Sequence, residues 1–175
     1  MNLPNKLTLI RIIAIPIFIV ILLLGHRFMA TILFVAAALT DMLDGHIARK
    51  YNLVTNFGKL MDPLADKLLV MSALVCLVQL GNVEGWMVIV ILAREFAVTG
   101  LRQVAASEGT VIAAGTTGKI KTILQMIAIP LLLLDNWPGY YIGVPLDQII
   151  LWAAVVMTIV SGAEYIFKNK QLLSM

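Results

Sequence analysis

DMLDGHIARKYNLVTNFGKLMDPLAD, residues 41–66, sets four carboxylates, Asp41, Asp44, Asp62 and Asp66, into a chain that is otherwise almost continuously apolar. Read as helix, Asp41, Asp44 and Ala48 share one face, and Gly58, Asp62 and Asp66 share another, because residues three, four, seven or eight apart stack on one side. Two helices can therefore aim two acids each at one point. Four negative charges at membrane depth are too costly to leave uncompensated, so the stretch predicts bound cations or protonated acids. An all-oxygen donor set favours hard divalent ions, magnesium or manganese.

Membrane depth is the right setting. Of 175 residues, 61% are hydrophobic and 13% charged, and the mean hydropathy is +0.96, outside the range of soluble globular domains. No polar/apolar alternation suggests a barrel, and a hydrocarbon core needs about 20 apolar residues per helix. The expectation is an all-α, polytopic membrane protein of six spans, forming one domain over residues 1–175. Span one runs from Leu9 to Leu24, with Asn5 and Thr8 as helix-start residues. After a turn at Gly25-His26-Arg27, span two covers Phe28 to Lys50 and span three Gly58 to Leu80, with its acids in its first two turns. Span four covers Trp86 to Ala106, and span five runs from the Lys119 region to Leu134. A loop with Pro138, Gly139 and Pro145 leads to span six, which ends near Phe167. Lys6 and Arg11 resemble the flank of a signal peptide, but no small-residue cleavage pattern follows near Gly25, so the first span is expected to be retained.

Charge gives the orientation. With six spans, every Lys and Arg except Arg27 falls on one side, and cytoplasmic loops carry that excess. Both termini are thus expected in the cytoplasm, with the acid cluster opening there. Trp86, Trp137, Tyr140 and Tyr141 collect at the opposite face, as an interfacial aromatic belt does. The pI near 9.1 does not indicate nucleic acid, because the basic residues are spread over short loops with no basic tail. A single cysteine, Cys76, rules out an intrachain disulfide.

An acid cluster at a cytoplasmic mouth fits a proton relay, a divalent-cation carrier, or an enzyme that keeps its ions and uses them on a phosphate or diphosphate. Transport sites usually lie near the midplane, whereas these acids sit at one mouth beside Arg49, Lys50, Lys59 and Lys67. A basic shell attracts phosphates rather than cations, and this favours the enzyme.

The spacing Asp41-x2-Asp44-Gly45-x2-Ala48-Arg49-x8-Gly58-x3-Asp62-x3-Asp66 resembles the signature of the CDP-alcohol phosphotransferases. That resemblance implies a six-helix membrane enzyme, commonly a homodimer, that moves a phosphatidyl or related group from a CDP-linked donor to an alcohol and releases CMP. It implies that Asp41, Asp44 and Asp62 ligate two divalent ions on the donor diphosphate. Asp66 would share that metal site and deprotonate the acceptor hydroxyl. Pro4, Asn5 and Thr8 match a further family feature and, with Thr55, would lie around the nucleotide. Gly45 lets backbone approach the ligand closely, and Arg49 offers a fork for a diphosphate oxygen. Arg94, Arg102, Lys119 and Lys121 look like the branch whose acceptor carries its own phosphate. The expected substrates are therefore CDP-diacylglycerol and glycerol 3-phosphate, with inositol phosphate or serine as alternative acceptors. An aspartate-rich membrane prenyltransferase shares the metal-diphosphate logic but is expected to carry different aspartate spacings.

Overall fold

The computed structural model describes the backbone of residues 3–50, 56–107 and 115–169, and the side chains of 8–40, 64, 65, 67–106, 115–137 and 139–169. Among the described residues the chain is entirely helical. The elements are α1 (Leu3–Leu23), α2 (Arg27–Lys50), α3 (Asn56–Gln79), α4 (Gly85–Ser107), α5 (Thr116–Leu133), α6 (Trp137–Tyr140) and α7 (Leu146–Lys168). The six long helices occupy the six expected segments. Of the described helices, α7 is long and apolar enough to cross a membrane, while Thr8–Leu23, Arg27–Thr40 and Lys67–Gln79 are shorter apolar stretches.

Contacts group the chain into two compact units, residues 1–82 and 83–175. In the first, α1 packs along both α2 and α3. Its buried face is Thr8, Arg11, Ile15, Phe18 and Leu22, alternating steps of three and four, which is the stripe a helix presents to neighbours on one side. The Phe18 and Phe34 rings meet at 6.1 Å and fix α1 against α2. Gly25 and Gly81 take φ of +86° and +76° at the turns closing α1 and α3, where any side chain would be strained. Arg27 Nη2 donates to Asn82 Oδ1 at 3.4 Å, so the start of α2 and the residues just past α3 share one end of the unit. Late α2 and early α3, joined through residues 51–55, therefore share the other end. The antiparallel pairing expected from the sequence is present.

Three helix starts differ from expectation by two residues or more, and one of them is α5, which begins at Thr116, ahead of the Lys119 region. Helix α1 begins at Leu3, because Pro4 near a helix start is preorganised for helical φ and its missing N–H costs nothing there. Thr8 is consequently an interior residue, 1% exposed, and not a cap. Helix α3 begins at Asn56 rather than Gly58, which shifts Asp62 and Asp66 to its second and third turns.

In the second unit α7 packs along both α5 and α4. Three contacts set the directions. Trp86 meets Trp152 at 5.5 Å between ring centroids, Arg94 bonds Ser161, and Arg102 lies over the Tyr165 ring, so α4 and α7 run parallel. Thr117, at the start of α5, donates to Glu164 near the end of α7, so α5 runs against them. The α5–α7 seam changes character along its length. Leu132, Leu133, Leu151, Ala154 and Val155 fill one end, while Lys121, Gln125, Thr158, Ser161 and Tyr165 fill the other. The connection beyond α5 holds the short helix α6, with Pro138 in its first turn. Asn136 fastens this connection: its Nδ2 donates to Val144 O at 2.9 Å, and its Oδ1 accepts from the Asp147 N–H at 3.3 Å.

Candidate active site

The acid stretch lies on α2 and α3, in the unit of residues 1–82. The backbone places Asp41 and Asp44 in the last third of α2 and Asp62 and Asp66 early in α3, at the shared end opposite the Arg27–Asn82 bond. The side chains of these four residues, of Asn5, Gly45 and Arg49, and all of Thr55, lie outside the described residues. As a donor set, four carboxylates on two antiparallel helices fit hard divalent ions. The same unit carries a charge that sequence reasoning passed over as a flank of the first span. Arg11 is 2% exposed on the inner face of α1, one turn from the equally buried Thr8. A buried guanidinium is held only where anions or acceptors face it. Its signal in the sequence is that no other charge stands between Lys6 and Arg27.

The second unit gathers most of the predicted cations at the polar end of its seam. Arg94 and Glu95 are neighbours on α4, and Glu95 joins Arg94 to Lys121 on α5. One carboxylate oxygen, Glu95 Oε1, accepts from Arg94 Nη1 at 3.0 Å and from Lys121 Nζ. Arg94 Nε donates to Ser161 Oγ on α7 at 3.1 Å, and Ser161 Oγ donates to Thr158 O at 3.1 Å. Lys121 is thus a buried, paired cation, 2% exposed, and not a solvated anchor at a membrane surface. Lys119, two residues earlier, is exposed.

Arg102 stands apart from this network, with its Cζ 5.6 Å from the centroid of the Tyr165 ring. Arg102 Nε, Tyr165 Oη and Gln125 Nε2 are buried with no hydrogen-bond partner, and such groups are costly unless something polar meets them. Thr117 Oγ1 donates to Glu164 Oε2 at 2.6 Å, and Lys168 Nζ to Glu164 Oε1 at 2.5 Å. These bonds fix the start of α5, where no acidic residue occupies the first turn and the helix dipole favours an anion. Ser161, Gly162, Thr117 and Glu164 were not singled out from sequence. Their signal is faint: Thr117 stands in the first turn of α5, and Ser161, Gly162 and Glu164 are small or polar residues grouped late in the apolar helix α7.

The chain is thus a helical protein whose backbone carries four acids on one helix pair of the first unit and whose second unit holds a cation network across three helices. The family model for CDP-alcohol phosphatidyltransferases matches residues 1–160, and the chain belongs to that family. It is 52% identical to a Bacillus subtilis protein named CDP-diacylglycerol–glycerol-3-phosphate 3-phosphatidyltransferase, over 98% of this chain and 97% of that protein. A Rickettsia bellii protein of the same name is 45% identical over 94% of this chain and 93% of its own length. A Mycobacterium tuberculosis protein named probable phosphatidylglycerophosphate synthase is 38% identical over 94% of this chain and 80% of its own length.

Proposed function

We propose that this chain transfers the phosphatidyl group of CDP-diacylglycerol to glycerol 3-phosphate, giving phosphatidylglycerophosphate and CMP. The observation that carries the proposal is the near full-length similarity to relatives named for that reaction, together with the intact spacing of aspartates in residues 41–66. The family match crosses the boundary between the two units, which supports treating residues 1–175 as one catalytic domain.

The residues divide the work by charge. Asp41, Asp44, Asp62 and Asp66 would hold two divalent ions, magnesium or manganese, whose charge offsets that of the donor diphosphate. Arg49, Asn5, Thr8, Thr55 and the open backbone at Gly45 would bind the CDP portion. Asp66 takes the proton of the acceptor hydroxyl as its oxygen bonds to the phosphatidyl phosphorus. The bond from that phosphorus to the bridging oxygen breaks, and CMP leaves with that oxygen. Arg94, Arg102, Lys119 and Lys121 would hold the acceptor's own phosphate. The buried, partnerless Arg102 Nε and the dipole at the start of α5 support an anion there.

The setting we propose is the cytoplasmic membrane, with six spans, both termini in the cytoplasm, and a homodimer. The one-sided Lys and Arg distribution supports the orientation. So does the second unit, in which Trp86, Trp137, Tyr140, Tyr141 and Trp152 stand at the apolar end of the seam and the cations at the other. Helix α7, 23 residues long, spans about 34 Å at 1.5 Å per residue, enough for a ~30 Å hydrocarbon core.

The test is CMP release by purified protein in detergent with CDP-diacylglycerol and magnesium, against glycerol 3-phosphate, inositol, inositol phosphate and serine separately. Release with glycerol 3-phosphate alone is the expected result. Release with another acceptor overturns the acceptor assignment. No release with any, by protein that still binds divalent ions, returns the chain to the carrier reading.

A further inference from the structure

Arg94 follows a path cleared for it on two helices. A Cβ added at Gly162 on α7 would stand 3.1 Å from Arg94 Cγ, and one added at Gly118 on α5 would stand 3.2 Å from Arg94 Nη2. Both distances are tighter than ordinary van der Waals contact, so each glycine leaves room that the arginine occupies, one along its stem and one at its tip. Between these points two hydrogen bonds fix the guanidinium, Nε to Ser161 and Nη1 to Glu95. Ser161 is itself tied to Thr158 O. Glu95 also accepts from Lys121, so one carboxylate draws together two cations that would otherwise repel each other in a poorly solvated site.

An ion pair serving stability alone does not require side chains to be absent on both facing helices, whereas aiming a planar fork at a phosphate does require a fixed direction. We infer that Glu95 is a positioning residue: with Ser161 it locks Arg94 in the slot left by Gly118 and Gly162, and thereby sets how tightly the acceptor's phosphate is held. This rests on the reading that Arg94 contacts that phosphate. Glu95 touches neither substrate. It acts through Arg94 and Lys121, and its loss shows in acceptor binding rather than in the chemical step.

The experiment is steady-state kinetics of the full-length protein in detergent, varying glycerol 3-phosphate and CDP-diacylglycerol separately, for Glu95→Gln, Glu95→Asp, Gly162→Ala and Arg94→Gln. Glu95→Gln is expected to raise the acceptor KM about tenfold, with kcat and the donor KM within about twofold, the pattern of lost uniform binding. Glu95→Asp keeps the charge and should recover about half of that loss on a logarithmic scale. An added methyl at Gly162 meets only Arg94 within 4 Å, and a displacement of a few tenths of an ångström should raise the acceptor KM about threefold. If Glu95→Gln does not fold, Gly162→Ala decides, because it keeps every charge. Acceptor KM values within about twofold of the parent for Glu95→Gln and Gly162→Ala, or equal rises in both KM values, overturn the inference. Arg94→Gln separates the two levels. A raised acceptor KM in Arg94→Gln beside unaffected Glu95 and Gly162 variants removes the positioning role and keeps the acceptor site. An unchanged acceptor KM in Arg94→Gln removes the acceptor reading and the inference with it.

Discussion

Lys119 and Lys121 are two residues apart in sequence but occupy opposite environments, and replacing each separately tests that contrast. Lys121 has a side chain only 3% exposed and shares Glu95 Oε1 with Arg94, whereas Lys119 is exposed. Lys121→Met keeps the length of the side chain and removes its charge, leaving the buried carboxylate with one cation fewer. Removing one partner of a buried pair costs about 3–5 kcal/mol when the other is stranded. Glu95 keeps Arg94 at 3.0 Å, so the expected loss is about 2 kcal/mol. For a chain of this size that corresponds to a melting midpoint lower by about 4–8 °C. Lys119→Gln changes an exposed position and should stay within about 0.5 kcal/mol, or roughly 2 °C. Thermal unfolding of both variants in the same detergent measures the difference. Midpoints within about 1 °C of each other would refute the placement of Lys121 as a buried, paired cation.

Asp66→Asn should lower kcat by at least about a hundredfold while leaving CDP-diacylglycerol binding largely intact, as removal of a general base does; loss of donor binding equal to that in Asp41→Asn would make Asp66 chiefly a ligand. Arg102→Gln should raise the KM for glycerol 3-phosphate about tenfold with little change for the donor, and an unchanged acceptor KM would move the acceptor site elsewhere. Chelation of divalent ions should abolish CMP release, and added magnesium or manganese should restore it. Full turnover in the presence of excess chelator would remove metal ions from the reaction.

The elements of the fold could be read because the physics that sets them is local. Apolar runs long enough for a helix, broken at Gly25 and Gly81 where positive φ is needed, gave six segments within a few residues of the observed helices. The ends were less legible. The first span was expected from Leu9, with Asn5 and Thr8 at its start, whereas α1 begins at Leu3 and holds Pro4 in its first turn. Asn56 begins α3 two residues before the glycine that marked its expected start. At the candidate site, the family spacing placed the aspartates on α2 and α3, since a signature of fixed intervals survives any uncertainty about packing. What the sequence could not disclose was partnership across helices. Lys121 reads in the sequence as a cation for the acceptor's phosphate or as an anchor on the positive side, and its burial beside Glu95 of α4 emerges only from the packing. Arg11 shows the same limit. Its charge is plain in the sequence, but its burial follows from α1 having neighbours on the face that also carries Thr8 and Phe18.

The two-ended character of the α5–α7 seam divides the helices into regions of unequal freedom to drift. At Leu132, Leu133, Leu151 and Val155, one apolar residue can replace another of similar volume for less than about 1.5 kcal/mol, and many orders of substitution remain open. At Lys121, Ser161 and Gly162 each residue is constrained by what its neighbour already is, because a change at any one strands a charge or closes the slot that Arg94 uses. Single changes at that end carry a cost in charge pairing or in the path of Arg94 that a second, matched change can offset. Random mutagenesis scored for turnover at low acceptor concentration should therefore return singles from the aromatic end and an excess of compensated doubles from the cation end, which would map the boundary between scaffold and machinery along a single pair of helices.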